Sequence, residues 1–214
     1  MVIIDFDDTL MDTQRFIAAR EDALGQLGVP VSLVRETYIA ARFCAGAACY
    51  SDKRHAACLA ERGYDSGEVA QVLSRLTKTC REYLFPDTLD FLSYIKDEHR
   101  PLLLLSLGAA DFQEEKVRYS GIYNYFDEVY TVDETKTQAM ERLWSRRSPG
   151  PVWFINDKIE ETAAISDRWP QIRAVLKVSP KYPREAYEKS GRPHFFRLAE
   201  IQDFMARYGQ LQSA

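Results

Sequence analysis

Met1-Val-Ile-Ile-Asp5-Phe-Asp7-Asp8-Thr9-Leu-Met-Asp12-Thr13 is the stretch whose reading decides the fold. A short apolar, β-branched run that stops abruptly in carboxylates reads as a buried strand delivering acids to the carboxyl edge of a sheet. In open α/β sheets that edge is where ligands bind. Alternation along an extended chain points Asp5 and Asp7 the same way and turns Phe6 back into the packing. Two carboxylates that converge on one spot repel unless a cation or a proton sits between them, so the arrangement is costly without a task.

Working outward, the pattern after Thr13 is helical as far as Phe85. Phe16, Ala19, Ala23 and Leu27 recur at helical spacing before Gly28, and Val34, Tyr38 and Ala41 mark a second helix. Gly46 and the alanines around it suggest a loop or a close helix contact, and Ser51 opens a third helix ending at Gly63. Asp65 and Glu68 open the fourth, whose apolar face runs from Val69 through Leu73, Leu76 and Cys80 to Leu84. Residues 14–85 are therefore expected to form a second, smaller all-helical domain with its own core. Its linkers, near Thr13 and Phe85, lie side by side and permit hinge motion.

Residues 86–214 return to α/β alternation and join 1–13 in one core domain. Leu102-Leu-Leu-Leu-Ser106 is a continuous apolar run suited to a parallel strand covered on both faces, and it ends in a hydroxyl. Asp127 to Val132 reads as the next strand and is followed by Lys136. Beyond a turn at Ser148-Pro-Gly-Pro151, Val152-Trp-Phe-Ile155 runs into Asn156, Asp157, Lys158 and Glu161. Ile172 to Val178 suits a fifth strand, and the aperiodic stretch Tyr182 to Pro193 is expected to be a surface excursion.

Four strand ends thus present, in order, Asp5 with Asp7, Ser106, Lys136, and Asp157 with Glu161. In order and placement they resemble the four motifs of the haloacid dehalogenase (HAD) superfamily: Asp-x-Asp-x-Thr, a strand ending in Ser or Thr, a lone Lys, and an acidic pair after a strand. The resemblance implies a doubly wound parallel α/β sheet, a HAD-like Rossmannoid core carrying a helical cap. It also implies a Mg²⁺-dependent phosphatase acting on a small phosphorylated metabolite through a phospho-aspartate. By the same resemblance Asp5 is the nucleophile, and Asp5, Asp157 and the Asp7 backbone carbonyl hold the metal. Asp7 serves as acid and base, Ser106 and Lys136 contact the phosphoryl group, Thr9 braces the turn and is counted with the phosphate-binding residues, and Glu161 orients water or Lys136. The cap would supply leaving-group contacts from among Phe16, Arg20, Arg42, Tyr50 and Arg54. Lys116 is a rival for the lysine role, set aside because it lies inside a helix of another unit. Asn156 and Glu161 depart from the commoner Gly or Asp and Asp of the last motif.

Phosphate monoesters are dianions, so an attacking carboxylate needs cationic help and a fixed line of approach. Alternatives within the superfamily are a phosphosugar mutase, a 2-haloacid dehalogenase, which typically lacks the second aspartate and the metal, and a non-catalytic binding protein. A phospho-acceptor regulatory domain fits less well, because its acceptor Asp lies on a later strand.

Composition narrows the partners. With 28 Lys plus Arg against 32 Asp plus Glu, the formal charge of −4 gives no reason to expect nucleic acid or an anionic membrane. Apolar content of 46% and charged content of 28% suit a soluble globular chain. No run approaches the ~20 apolar residues of a membrane helix, and no leader precedes the first strand, so a cytoplasmic protein is expected. In that compartment Cys44, Cys49, Cys58 and Cys80 are expected to be free thiols.

Overall fold

Val2–Ile4 form strand β1, completely buried at the centre of a six-stranded parallel sheet. The computed structural model describes residues 1–44, 47–145 and 151–210. After β1 come helices α1 (Thr13–Gln26) and α2 (Val31–Arg42), strands β2 (Phe43–Cys44) and β3 (Ala47–Ala48), and helices α3 (Asp52–Ala60) and α4 (Ser66–Lys78). Strict alternation follows: α5 (Thr88–Asp97), β4 (Leu102–Leu107), α6 (Ala110–Tyr119), β5 (Glu128–Val132), α7 (Lys136–Trp144), β6 (Val152–Asn156) and α8 (Ile159–Arg168). The chain finishes with β7 (Ile172–Lys177), α9 (Arg184–Lys189), β8 (His194–Phe195) and α10 (Leu198–Gln210). Strand order in the large sheet is β5-β4-β1-β6-β7-β8. Among the described residues no helix is long and apolar enough to cross a membrane.

Period-two alternation explains why helices cover both faces. Val2, Ile4, Leu102 and Leu104 meet Phe91 and Ile95 of α5, Val117 of α6, and Leu198 and Ile201 of α10 on one side. Ile3, Leu103, Leu105 and Phe154 meet Met140 and Leu143 of α7 and Ile165 of α8 on the other. Truncating Ile4 or Leu104 to alanine would cost about 2–5 kcal/mol, because a site enclosed on both faces cannot collapse around the cavity. Strands of this kind place their carboxyl ends, and the residues that follow, along one edge.

The helices between residues 13 and 78 have their own apolar cluster, built from Leu24, Val34, Leu59, Val69 and Leu73. Where the chain leaves and re-enters the core, the two connections are hydrogen-bonded to each other: Asp12 N–H donates to Tyr83 O and Phe85 N–H donates to Leu10 O. Two features depart from the all-helical expectation. Phe43–Cys44 pairs antiparallel with Ala47–Ala48, and α4 stops at Lys78, with Cys80–Tyr83 continuing as a 3₁₀ turn. The helix ends early because Thr79 Oγ1 bonds back to Leu76 O at 2.9 Å, a local alternative to the helical ladder. Cys58 and Cys80 are free, but Cys49 is disulfide-bonded, contrary to the expectation of four free thiols. Spacing alone did not reveal which thiols the chain brings together. Gly46 and the turn at 148–150 lie outside the described residues.

A buried polar network ties these helices together. The Arg20 guanidinium donates to Tyr50 Oη, to Asp52 Oδ1 at 2.6 Å and to Thr77 Oγ1 at 3.1 Å. His55 lies between Tyr50 Oη at 3.2 Å and Thr37 Oγ1 at 3.1 Å. Burial, with the Arg20 charge nearby, pushes the imidazole down to about 4. The unfolded chain therefore binds the His55 proton first, and stability present above about pH 6.5 is lost as pH falls toward 4. Denaturant titrations should show a loss of up to about 3 kcal/mol across that window, absent from the slope of His55→Gln. Parallel slopes for the two proteins would rule this out.

Candidate active site

The carboxyl edge of the sheet and the helices after β1 enclose a cavity of about 310 Å³. Asp5 and Asp7 follow β1, and Lys136 is the first residue of α7, so its ammonium enters from beyond the end of β5, two strands away. Lys136 Nζ lies 2.8 Å from Asp5 Oδ1 and 3.3 Å from Glu161 Oε2. It also donates to Asn156 Oδ1 at 2.8 Å. Burial alone would lower the Lys136 ammonium, but Asp5 and then Glu161 more than offset it, and the group is held above the ordinary lysine value. Asn156 thereby has a task. Its oxygen takes the Lys136 proton donor while its amide donates to Lys158 O at 3.3 Å and Thr162 Oγ1 at 3.2 Å.

Asp7 faces a different cation. Lys116 Nζ lies 2.7 and 2.8 Å from the two Asp7 carboxylate oxygens, and Gln113 Nε2 and Thr13 Oγ1 donate to the same group at 2.8 and 2.7 Å. Burial would raise this carboxyl, yet the Lys116 charge and these hydrogen bonds hold it well below the usual carboxylate range. An acid is expected to need the opposite shift; this geometry keeps Asp7 ionised. Gly108 makes room for the clamp: a Cβ there would stand 2.7 Å from Gln113 Nε2, so any larger residue would push Gln113 off Asp7.

Asp157, after β6, is wholly buried. Its Oδ2 accepts from Ser179 Oγ at 3.2 Å and from Lys181 Nζ at 3.0 Å, while its Oδ1 has no hydrogen-bond partner. Burial and the Asp5 charge push its carboxyl up to about 6, against the pull of Lys181. A buried carboxylate oxygen without a partner requires an explanation, and a bound cation is one.

The structure brings Asp5, Asp7 and Lys136 onto one cavity wall, with Lys116, Lys158 and Lys181 beside them. Ser106 stands at the end of β4, buried, its hydroxyl without a partner; the wall beyond it is made by Leu107, Gly108 and Ala109. Thr9 is buried in the turn, where its N–H donates to Phe6 O at 3.3 Å. Glu161 pairs with Lys158 at 2.7 Å as well as with Lys136. Of the expected leaving-group contacts, Arg42 and Tyr50 line the cavity. Phe16 does not, and its placement as a substrate contact is corrected. It packs edge-on to Tyr83 at 5.3 Å on the core side of α1, while Gln14 and Ile17 on the other side reach the cavity. A phenyl ring gains more from that packing than from a polar wall. Arg20 is locked in the buried network, and Arg54 donates to Phe43 O on the surface at 3.3 Å.

Sequence reasoning undervalued Lys116 and missed Lys181. Lys116 sits in the second half of α6, yet its long stem carries the ammonium between the buried Phe6 and Phe112 of the cavity wall, 5.4 and 5.5 Å from their rings. Lys181 immediately precedes the stretch Tyr182 to Pro193 expected to be a surface excursion. There Tyr187 is wholly buried and donates from Oη to Asp157 O at 3.1 Å, so the segment packs against the site. The available signal was position: Lys181 follows β7 at the same sheet edge as the acids.

A Rossmann-like parallel sheet with a carboxylate and lysine at its carboxyl edge defines a class of α/β enzymes. The chain belongs to the haloacid dehalogenase-like hydrolases, whose family model matches residues 1–175. It is a hydrolase. Among solved structures it is similar to a Burkholderia xenovorans LB400 protein described as a haloacid dehalogenase-like hydrolase, at 18% identity and TM-score 0.73, covering 97% of this chain and 96% of that one. A Thermotoga maritima protein described as a β-phosphoglucomutase matches at 18% identity and TM-score 0.64, over 96% and 98% of the two chains. The L-2-haloacid dehalogenase of Xanthobacter autotrophicus matches at 18% and 0.55, over 88% and 80%. At these identities the likeness establishes the fold. A comparison with curated protein sequences returns no match.

Proposed function

We propose that this hydrolase is a Mg²⁺-dependent phosphatase that cleaves a small phosphate monoester through a phospho-aspartate on Asp5. The observation that carries the reading is the second aspartate: Asp7 lines the same cavity as Asp5 and is held ionised by Lys116. The 2-haloacid dehalogenases that the resemblance also admits typically lack this second aspartate, and their halide departs without a proton.

The donor set suits magnesium, which commonly binds through one or two carboxylates and keeps water and phosphate oxygens as its other ligands. Asp5 and Asp157 are those carboxylates, the latter with its unpartnered Oδ1. Among the described residues no group of three His, Cys, Asp or Glu side chains is arranged to hold an ion, so the set stops at two. The Asp7 carboxylate is engaged by Lys116, and any metal contact from this residue falls to its backbone carbonyl. When bound, the ion would offset the repulsion between Asp5 and a phosphate dianion.

The chain's own groups then divide the work. The Asp5 carboxylate attacks phosphorus, a bond forms between its oxygen and phosphorus, and the bond from phosphorus to the ester oxygen breaks, the departing alkoxide taking its proton from solvent. Lys136 fixes Asp5 and neutralises charge on the phosphoryl oxygens, while the unpartnered Ser106 hydroxyl supplies a donor at the adjacent strand end. Ionised Asp7 accepts a proton from the water that attacks phospho-Asp5, releasing phosphate and restoring the carboxylate.

A screen of phosphorylated metabolites with Mg²⁺ tests the reading. Phosphate release should require the ion and disappear with chelator and in Asp157→Ala. Full turnover in excess chelator, isomerisation without phosphate release, or halide release from 2-haloacids with no phosphatase activity would each displace it.

A further inference from the structure

Lys181 links two loops that a metal-dependent site would have to share. Its Nζ lies 2.8 Å from Asp8 Oδ2 and 3.0 Å from Asp157 Oδ2, and its stem lines the cavity. Both partners are fixed. Asp8 is buried in the turn after β1, at φ 57°, where its carboxylate accepts from Thr13 N at 3.0 Å and Gln14 Nε2 at 3.1 Å. Asp157 is held through Ser179 Oγ and, at its backbone oxygen, through the buried Tyr187 hydroxyl.

Lys181 itself is the most exposed member of this set. Its side chain is 30% exposed against 0% for Asp157 and 1% for Asp8, and it is carried on the loop between β7 and α9. An ammonium bonded to one oxygen of a carboxylate lowers the negative potential at the other, and at a few ångströms repels a second cation directly.

We propose that Lys181 is a resident cation that competes with the divalent ion for Asp157 and sets the affinity of the site for Mg²⁺. The inference rests on the phosphatase reading only for the identity of the ion. The Asp157 carboxylate keeps a partner whether or not a metal is present, so the site need not be assembled by metal, and Mg²⁺ binds weakly. Removing the ammonium leaves Asp5, Asp8 and Asp157 with less compensating charge, and a divalent cation then takes its place.

The test is Mg²⁺ binding without substrate, by calorimetry and by the shift of the melting temperature with added MgCl₂. Lys181→Met, which keeps much of the stem and removes the charge, should bind Mg²⁺ at least about tenfold more tightly than the parent protein and show the larger melting shift. Lys181→Arg keeps the charge and should stay within a few-fold of the parent, which separates charge from packing. Melting in chelator establishes that each variant is folded. Equal affinity in the parent and Lys181→Met, tightening by Lys181→Arg to the same degree, or no Mg²⁺ binding by any of the three would overturn the proposal. Failure of the phosphatase reading would appear instead as absence of phosphate release, a separate measurement that leaves the affinity comparison standing.

Discussion

Asp5→Asn is expected to lose phosphatase turnover by about four orders of magnitude or more while remaining folded, because Asp5 is the carboxylate beside Lys136 that lines the cavity, whereas Glu161 does not. An amide cannot form the acyl phosphate. The substitution also removes one member of a buried charge pair, for which a cost of about 3–5 kcal/mol is usual when the remaining charge is left uncompensated. Here the cost should fall below that range, since Lys136 keeps Asn156 at 2.8 Å and Glu161 at 3.3 Å. Single-turnover assays and thermal melts separate the two effects. Residual activity within tenfold of the parent would mean that Asp5 is not the nucleophile. A collapse of the melting transition would mean that Glu161 does not compensate.

Asp7→Asn should lose about a hundredfold in steady-state turnover, the usual scale for a general base, and the step affected should be the second. Lys116, Gln113 and Thr13 hold this carboxylate ionised, so it has no proton to give to a leaving alkoxide, and the same contacts make it a weak base that can still take a proton from water. With an aryl phosphate, whose phenolate departs without a proton, the first turnover of Asp7→Asn should stay close to that of the parent. A burst of phenol followed by slow phosphate release is the expected trace, with phospho-Asp5 accumulating. Equal loss in burst and steady state would assign Asp7 to the first step. Undiminished hydrolysis would remove it from the chemistry.

Much of this arrangement was readable from residues in order. The three-residue strand ending at Ile4 and the leucine run from Leu102 announced buried parallel strands, because only a strand covered on both faces is apolar without alternation. Asp5 and Lys136 could be placed because the first follows a strand directly and the second opens the helix after one, where backbone topology fixes the neighbourhood. Lys116 could not. Its position in α6 suggests solvent, and only the packing of α6 against the turn after β1 shows that its ammonium reaches Asp7. Lys181 and Tyr187 were illegible for another reason: one borders and the other lies in a stretch without periodicity, and both are held by contacts with Asp157 rather than by local propensity. Phe16 failed in the opposite direction. Its place in the expected cap suggested a leaving-group contact, whereas the turn of α1 that brings Gln14 and Ile17 to the cavity carries Phe16 to the core.

The network around Tyr50 also bears on how this protein could acquire new substrates. Tyr50 contributes a ring to the cavity wall, but its hydroxyl is joined to Arg20 and His55 and its ring packs on Phe112 at 4.6 Å. A change there strands two other buried polar side chains and is taxed in stability before any new preference is gained. Arg42 and Phe43, on the same wall, are exposed. Drift at those two positions is nearly neutral for folding. Divergence of leaving-group preference should therefore accumulate at the rim, at 42 and 43, while 50 stays fixed, so a library randomised at the rim should retain far more folded members than one randomised at Tyr50.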